Sequence, residues 1–324
     1  MRKRNILAGT LAAVMAFCLV GCGGSSNSVA SEASSSVEDT SSAAAVSSTD
    51  SASTSSSASV GASETASDAS ATTQYTADIT LFAAKSLNGV MEDLIAKYNE
   101  TQPNVKITGS YDSSGTLMTQ IEQGAPCDVF FSAAQKQMDQ LADEDMVEND
   151  TRADIVNNQV CVVTYKGSGT KVTGLANIGE ASSIALADGS VPVGKYTREA
   201  LVKAGMIEGT DDNSTITTQQ ISDALGGVTI NECANVGAVT AAVSTGANEV
   251  GTVYVSDTHG LEDKLAILEK VSCDLTGNVI YPAAVIRNAN ASDDQKAAAA
   301  DFVKFLTSDT AKAIFEEYGF DTNV

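Results

Sequence analysis

The stretch "DITLFAAKSLNGVMEDLIAKYN" (residues 78–99) indicates the fold more clearly than any other part of the chain. It begins with an apolar run that ends at two alanines, as a buried β-strand does. After Lys85 and Ser86, apolar residues recur at the spacing of an amphipathic helix. A buried strand that leads directly into a helix is the first half of a βαβ unit, so this stretch predicts a parallel sheet.

The same alternation of strand-like and helix-like segments continues along the chain. The segments that follow are "NVKITGSY" (104–111), "SGTLMTQIEQGAP" (114–126), "CDVFFSA" (127–133) and "QKQMDQLADEDMV" (135–147). A second alternating block begins near residue 159, and an amphipathic helix is predicted over residues 292–320. The pattern predicts an α/β protein of two lobes, with lobe 1 formed by 77–157 and 277–324 and lobe 2 by 158–276.

The N-terminal segment has the features of an export signal. Arg2 and the basic residues beside it precede an apolar run over residues 6–20. The following "LVGCGG" (19–24) resembles the lipobox of bacterial lipoproteins, which implies a signal peptide over 1–21 and a lipid on the Cys22 thiol. The alternative is an ordinary secretory signal with a chance cysteine.

The Ser/Ala-rich segment 22–76 lacks the apolar residues of a core and is predicted to be a disordered tether. We therefore expect the folded part to lie outside the cytoplasm, held at the outer face of the membrane.

Composition argues against several classes of function. The net charge of −22 and the absence of a basic patch argue against nucleic-acid binding. The single histidine, His259, has no evident nucleophile beside it, so an enzyme is disfavoured. Four cysteines beyond the signal have no metal-ligand spacing, and the sequence leaves open whether they form disulfides or stay buried thiols. They are Cys127, Cys161, Cys233 and Cys273.

Small polar residues stand at three of four predicted strand-to-helix junctions: Ser86 in the first, Ser114 in the second and Asn235 in the fourth, whose helix begins at Val236. The remaining junction, "VPVGKYTREAL" (191–201), presents the backbone of Val193. Taken singly, such residues most simply cap helices. Taken together, they lie at the carboxyl ends of parallel strands, where helix N-termini offer unpaired N–H donors to an anion. A site of neutral donors favours an oxyanion that is fully ionised.

The motifs at these junctions resemble the molybdate-binding proteins of ABC importers. The matching segments are "FAAKSL", "YDSSGTLMTQIEQGAPCDVFFSAAQKQMDQL", "VPVGKYTREAL", "NVGAVTAAV" and "GTVYVSD", and the similarity extends from about residue 78 to residue 320. The resemblance implies a type II periplasmic-binding-protein fold with the ligand in a cleft between the lobes. It also implies a monomer that binds molybdate, and tungstate as well, and delivers it to a permease and its ATPase.

The resemblance further implies which residues contact the oxyanion. They are the hydroxyls and amides of Ser86 and Ser114, the amides of Val193 and Val236, and the hydroxyl of Tyr254. Molybdenum would be held only as molybdate, through its oxygens, with no direct protein ligand and no cofactor.

Several residues depart from the family pattern or leave alternatives open. Lys85, where alanine is usual, adds positive potential or points to solvent, and solvent is the favoured expectation. Asp112 and Gly115 are further departures, and Asp112 is expected to face away from the site. Tyr254 could instead pack within its strand, and Arg198 is expected on the surface.

The nearest alternative ligands on the same fold are sulfate, phosphate or a small organic acid. A secreted enzyme and a surface adhesion module are the alternatives from other classes.

Overall fold

A computed structural model describes residues 73–324, so the predicted signal peptide, Cys22 and residues 22–72 of the predicted tether lie outside the described residues. The strands of the described part are β1 (Ala77–Ala84), β2 (Val105–Asp112), β3 (Val129–Phe131), β4 (Ala153–Asn158), β5 (Val160–Tyr165), β6 (Ser183–Ala187), β7 (Thr229–Cys233), β8 (Val250–Tyr254), β9 (Leu265–Lys270) and β10 (Val279–Val285). The α-helices are α1 (Asn88–Asn99), α2 (Ser114–Glu122), α3 (Gln135–Asp143), α4 (Pro192–Lys203), α5 (Thr218–Ala224), α6 (Val236–Ser244), α7 (Cys273–Thr276), α8 (Asp293–Leu306) and α9 (Asp309–Glu317).

The first sheet has the strand order β2-β1-β3-β10-β4. β1 pairs in parallel with both β2 and β3, as the alternation predicts, because the connecting helices α1 and α2 return the chain to the same end of the sheet. β10 runs antiparallel to β3 and β4, so the sheet is mixed. Helices α1, α2, α3, α8 and α9 cover this sheet, and we call the whole unit lobe 1.

The second sheet has the strand order β7-β6-β8-β5-β9. β6 pairs in parallel with β7 and β8, whereas β5 runs antiparallel to β8 and β9. Helices α4, α5 and α6 pack on it, and we call this unit lobe 2. The chain passes between the sheets twice, from β4 into β5 and from β9 through α7 into β10.

The structure confirms the predicted α/β alternation and corrects it in detail. The C-terminal segment forms two helices, because a turn at Thr307 ends α8 and Ser308 caps α9 by accepting from the amide of Ala311. β4 and α5 were not predicted; their segments are short and rich in polar residues. The precise lobe boundaries stay a prediction. Among residues 73–324, no helix is long and apolar enough to cross a membrane.

Candidate functional site

A small cavity lies where the two lobes meet. It is lined by Ala84, Lys85, Ser86, Ser113, Ser114, Ala133, Val191, Pro192, Val193, Val236 and Tyr254. The cavity has a volume of about 10 Å³. A volume of this order suits solvent or a small ion and not a larger organic ligand.

All five residues that the sequence predicts as ligand contacts line this cavity. Ser86 and Ser114 come from lobe 1, whereas Val193, Val236 and Tyr254 come from lobe 2. Four of them lie at or within three residues of the carboxyl end of a strand, and Val193 lies in the first turn of the helix that follows β6. The structure thus brings the predicted residues together; that they bind a ligand stays a prediction.

Ser86 lies in a short 3-10 turn between β1 and α1 and is almost fully buried. Its side chain caps neither the turn nor α1, so the capping interpretation is wrong for this residue. Instead its hydroxyl lies 2.9 Å from the hydroxyl of Tyr281 on β10. The Tyr281 hydroxyl also accepts from Nδ2 of Asn158, at 3.2 Å. Ser86 is therefore held at the cavity wall by residues that the sequence pattern does not single out.

Ser114 is the first residue of α2, and its neighbour Ser113 caps the helix by accepting from the amide of Thr116. Ser113 thus supplies the cap, and both serines line the cavity. The Ser114 hydroxyl oxygen accepts from the amide of Ala133 at 2.9 Å, which directs its own hydrogen elsewhere. Amides in the first turn of a helix have no partner within the helix, so the Ser114 amide can donate to a ligand.

Lobe 2 contributes two helix N-termini. Val193 follows Pro192 in the first turn of α4, and proline suits that position because it has no amide hydrogen to satisfy. Val236 is the first residue of α6, which Asn235 caps through its side chain, as predicted. Both helix starts carry the partial positive charge of the helix dipole toward the cavity.

Tyr254 is 1% exposed, and its hydroxyl oxygen is buried without a hydrogen-bond partner in the described part of the chain. A buried hydroxyl that is left unpaired is costly, so such groups in native proteins call for an explanation. Burial raises the pKa of Tyr254 well above its ordinary value, so the hydroxyl stays protonated and able to donate. The cavity wall thus contains a buried donor with no partner among the described residues, and the prediction that Tyr254 contacts a ligand is consistent with this.

The placement of Arg198 contradicts the sequence prediction. It is 1% exposed rather than on the surface. Its guanidinium donates to the carbonyls of Ile216, Ala187 and Gly194, at 2.7 to 2.9 Å. Arg198 therefore ties the first turn of α4 to two neighbouring segments of lobe 2, and it is a structural cation behind the cavity wall.

Two of the departures from the family pattern, Lys85 and Asp112, also have defined places. Lys85 is half-buried and is among the residues that line the cavity. Asp112 is absent from the cavity lining, as expected, but its carboxylate bonds to Asn235 of lobe 2.

The described residues contain neither a cluster of metal ligands nor a disulfide. Within 73–324, no group of three or more His, Cys, Asp or Glu could hold a metal ion. All four cysteines of the described part are free thiols; Cys273 is exposed and the other three are buried. Burial raises the pKa of the Cys127 and Cys161 thiols, which keeps them protonated.

Comparison with known proteins gives consistent matches over the described part of the chain. The family of bacterial extracellular solute-binding proteins matches residues 79–321. The molybdate-binding protein ModA of Escherichia coli (strain K12) is 32% identical over 252 residues, which are 75% of this chain and 88% of that protein. YvgL of Bacillus subtilis (strain 168), named as an ABC transporter substrate-binding lipoprotein, is 29% identical over 252 residues, 78% of this chain and 89% of YvgL.

A solved structure agrees with these relatives. The substrate-binding domain of a protein named as a molybdenum ABC transporter from Clostridium difficile superposes with a TM-score of 0.57 at 33% identity. The match covers 76% of this chain and 99% of that domain. The two-lobed type II binding-protein fold expected from the sequence is thereby confirmed.

Proposed function

Because the chain belongs to the bacterial extracellular solute-binding proteins, we propose that it captures molybdate, and tungstate as well, outside the cytoplasm for an ABC importer. One observation carries the proposal: serine hydroxyls, helix N-termini and one tyrosine hydroxyl from both lobes converge on one small cavity whose lining contains no carboxylate. The relatives named for molybdate support the choice of ligand.

The chemistry of the lining favours an ionised oxyanion. No aspartate or glutamate is among the lining residues, and the lining includes hydroxyls and the amides of helix first turns, which have no partner within the helix. A protonated phosphate would bring a proton for which the lining side chains offer only hydroxyl acceptors. Molybdate and tungstate are larger than sulfate, whose oxygens lie closer to its central atom and would reach fewer donors at once.

The proposed mechanism is closure of the two lobes around the anion. Neither lobe holds all the donors, so the complete set forms only in the closed conformation. Shifting a two-state hinge from mostly open to mostly closed takes a difference in affinity of about 5 kcal/mol. A few hydrogen bonds to a charged group, at roughly 1.5–3 kcal/mol each, supply it.

The remaining parts of the proposal concern the cell. A lipid on Cys22 would hold the protein at the outer face of the cell membrane, with residues 22–76 as its tether. The naming of YvgL as a lipoprotein supports the lipid anchor. The closed protein would then deliver its anion, as a monomer, to a permease and its ATPase. Members of the family bind solutes, so we propose no enzymatic activity.

Thermal shift and titration calorimetry with molybdate, tungstate, sulfate and phosphate test the ligand, with chloride at equal ionic strength as the control. We expect the melting temperature to rise strongly with the first two anions only, since only a ligand of the folded state stabilises it. If only sulfate or only phosphate raised the melting temperature, that anion would be the ligand and molybdate would not. No shift with molybdate at millimolar concentration would refute it.

A further inference from the structure

Two of the residues that depart from the family pattern, Lys85 and Asp112, contact the same element of the opposite lobe. Lys85 and Asp112 both belong to lobe 1, at the ends of β1 and β2. Both reach the start of α6 in lobe 2, at Asn235 and Gly237. We call these four residues the latch.

The first half of the latch is a hydrogen bond between the lobes. Oδ1 of Asp112 accepts from Nδ2 of Asn235 at 2.9 Å and from the amide of Ser113 at 2.8 Å. The side-chain oxygen of Asn235 accepts from the amide of Ala238 at 3.0 Å, as the cap of α6. The capping bond fixes the orientation of the Asn235 amide, so its NH₂ group is presented to Asp112.

The second half is a close packing contact between the Lys85 side chain and Gly237. A Cβ atom at position 237 would lie 2.9 Å from both Cγ and Cε of Lys85, closer than such atoms approach. The stem of Lys85 therefore lies directly against the first turn of α6. Lys85 forms no ion pair with any of residues 73–324, so the observed contact is made by the stem and not by its charge.

We propose that the latch stabilises the closed conformation independently of the ligand and slows the release of the bound anion. Both contacts join one lobe to the other, so they are lost when the lobes separate. An apparent affinity falls with the fraction of protein in the binding-competent conformation, so contacts that favour closure raise it. This proposal rests on the proposed function for its ligand, but its effect on closure does not.

The position of Asp112 explains how a carboxylate is tolerated beside an anion site. It does not line the cavity, and its carboxylate accepts hydrogen bonds from two N–H groups, which stabilise its negative charge. Asp112 and Lys85 are thus positioning residues, which act on the anion through the start of α6.

The test uses pairs of variants that distinguish the loss of a latch contact from the loss of a charge. Asp112→Ala removes the acceptor of the Asn235 bond, whereas Asp112→Asn keeps an acceptor oxygen and removes only the charge. Lys85→Ala removes the stem, whereas Lys85→Met keeps most of it. Gly237→Ala is made both in the wild-type protein and in combination with Lys85→Ala. Calorimetry gives the molybdate affinity, stopped-flow gives the dissociation rate, and small-angle scattering without ligand gives the radius of gyration.

We expect Asp112→Ala and Lys85→Ala each to weaken molybdate binding and speed dissociation by about three- to tenfold. Asp112→Asn should stay within about twofold, and Lys85→Met, which removes a charge at the cavity wall but keeps the stem, should lose less affinity than Lys85→Ala. Gly237→Ala should weaken binding when Lys85 is present and have no further effect in the Lys85→Ala variant, because the collision is then removed. It should not damage α6, since alanine is a better helix former than glycine.

The scattering experiment decides the proposal even if the ligand is another anion. Latch variants should have a larger radius of gyration than the wild type in the absence of ligand. Equal radii, equal effects of the two Asp112 variants, or an effect of Gly237→Ala that is the same in both backgrounds would overturn the latch. If the wild type does not bind molybdate, the proposed ligand is wrong. The scattering result without ligand then still tests whether the latch favours closure.

Discussion

Replacing Tyr254 by phenylalanine removes one oxygen atom from the cavity wall and leaves the ring in place. That hydroxyl is buried and has no partner in the described part of the chain. The ring packs edge-on against Tyr281 with centroids 5.8 Å apart, a contact that phenylalanine retains. The substitution therefore tests the hydroxyl alone.

The two expected effects of Tyr254→Phe have opposite signs. An unsatisfied buried polar group costs about 1–3 kcal/mol, so its removal should leave the ligand-free protein as stable as before or more stable. A hydrogen bond to a charged group contributes about 1.5–3 kcal/mol, so the molybdate affinity should fall roughly ten- to a hundredfold.

Thermal unfolding without ligand and calorimetric titration with molybdate measure the two effects separately. Tyr281→Phe is the matched control, because its hydroxyl bonds to Ser86 and Asn158. We expect the control to lower stability by about 1 kcal/mol without ligand. If Tyr254→Phe lowers the melting temperature and leaves the affinity unchanged, the hydroxyl is structural and the reasoning is wrong.

The same geometry makes three further predictions. Ser86→Ala should reduce molybdate affinity about tenfold or more while lowering ligand-free stability by only about 1 kcal/mol, and Ser110→Ala, at an exposed position of β2, should change neither. Arg198→Met should lower the free energy of unfolding by at least about 2 kcal/mol, measured by urea unfolding, because three carbonyls lose their donor. Burial raises the pKa of Asp257 to about 7. An unfolded aspartate titrates near ~3.9, so this carboxyl disfavours folding increasingly as the pH rises from about 4 to about 7. Asp257→Asn should therefore raise the melting temperature by several degrees at pH 8 and leave it unchanged at pH 3.5.

The sequence predicts the fold well where burial leaves a periodic pattern. β1 and α1 are clear because an apolar run and a helical spacing follow one another without a break. β4 was missed because its residues Ala153–Asn158 are half polar, and strand order depends on which strands pair across long separations. The antiparallel placement of β10 between β3 and β4 is of this kind.

The candidate site also has a part that the sequence predicts and a part that it does not. Residues at strand-to-helix junctions could be predicted, because the carboxyl ends of parallel strands converge whatever the rest of the chain does. The side chains and carbonyls that hydrogen-bond to these residues could not be predicted. The hydroxyl of Ser86 bonds to Tyr281, 195 residues further along the chain. Arg198 has the pattern of an exposed residue on an amphipathic helix, and only the folded loops supply the carbonyls that bury it.

Crystals of the protein grown with molybdate and measured at the molybdenum absorption edge give the strictest test of the proposed site. We expect one anomalous peak, inside the cavity between Ser86 and Ser114 of lobe 1 and Val193, Val236 and Tyr254 of lobe 2, with the anion oxygens within hydrogen-bond distance of these residues. An empty cavity, or molybdenum bound elsewhere on the protein, would contradict the proposal.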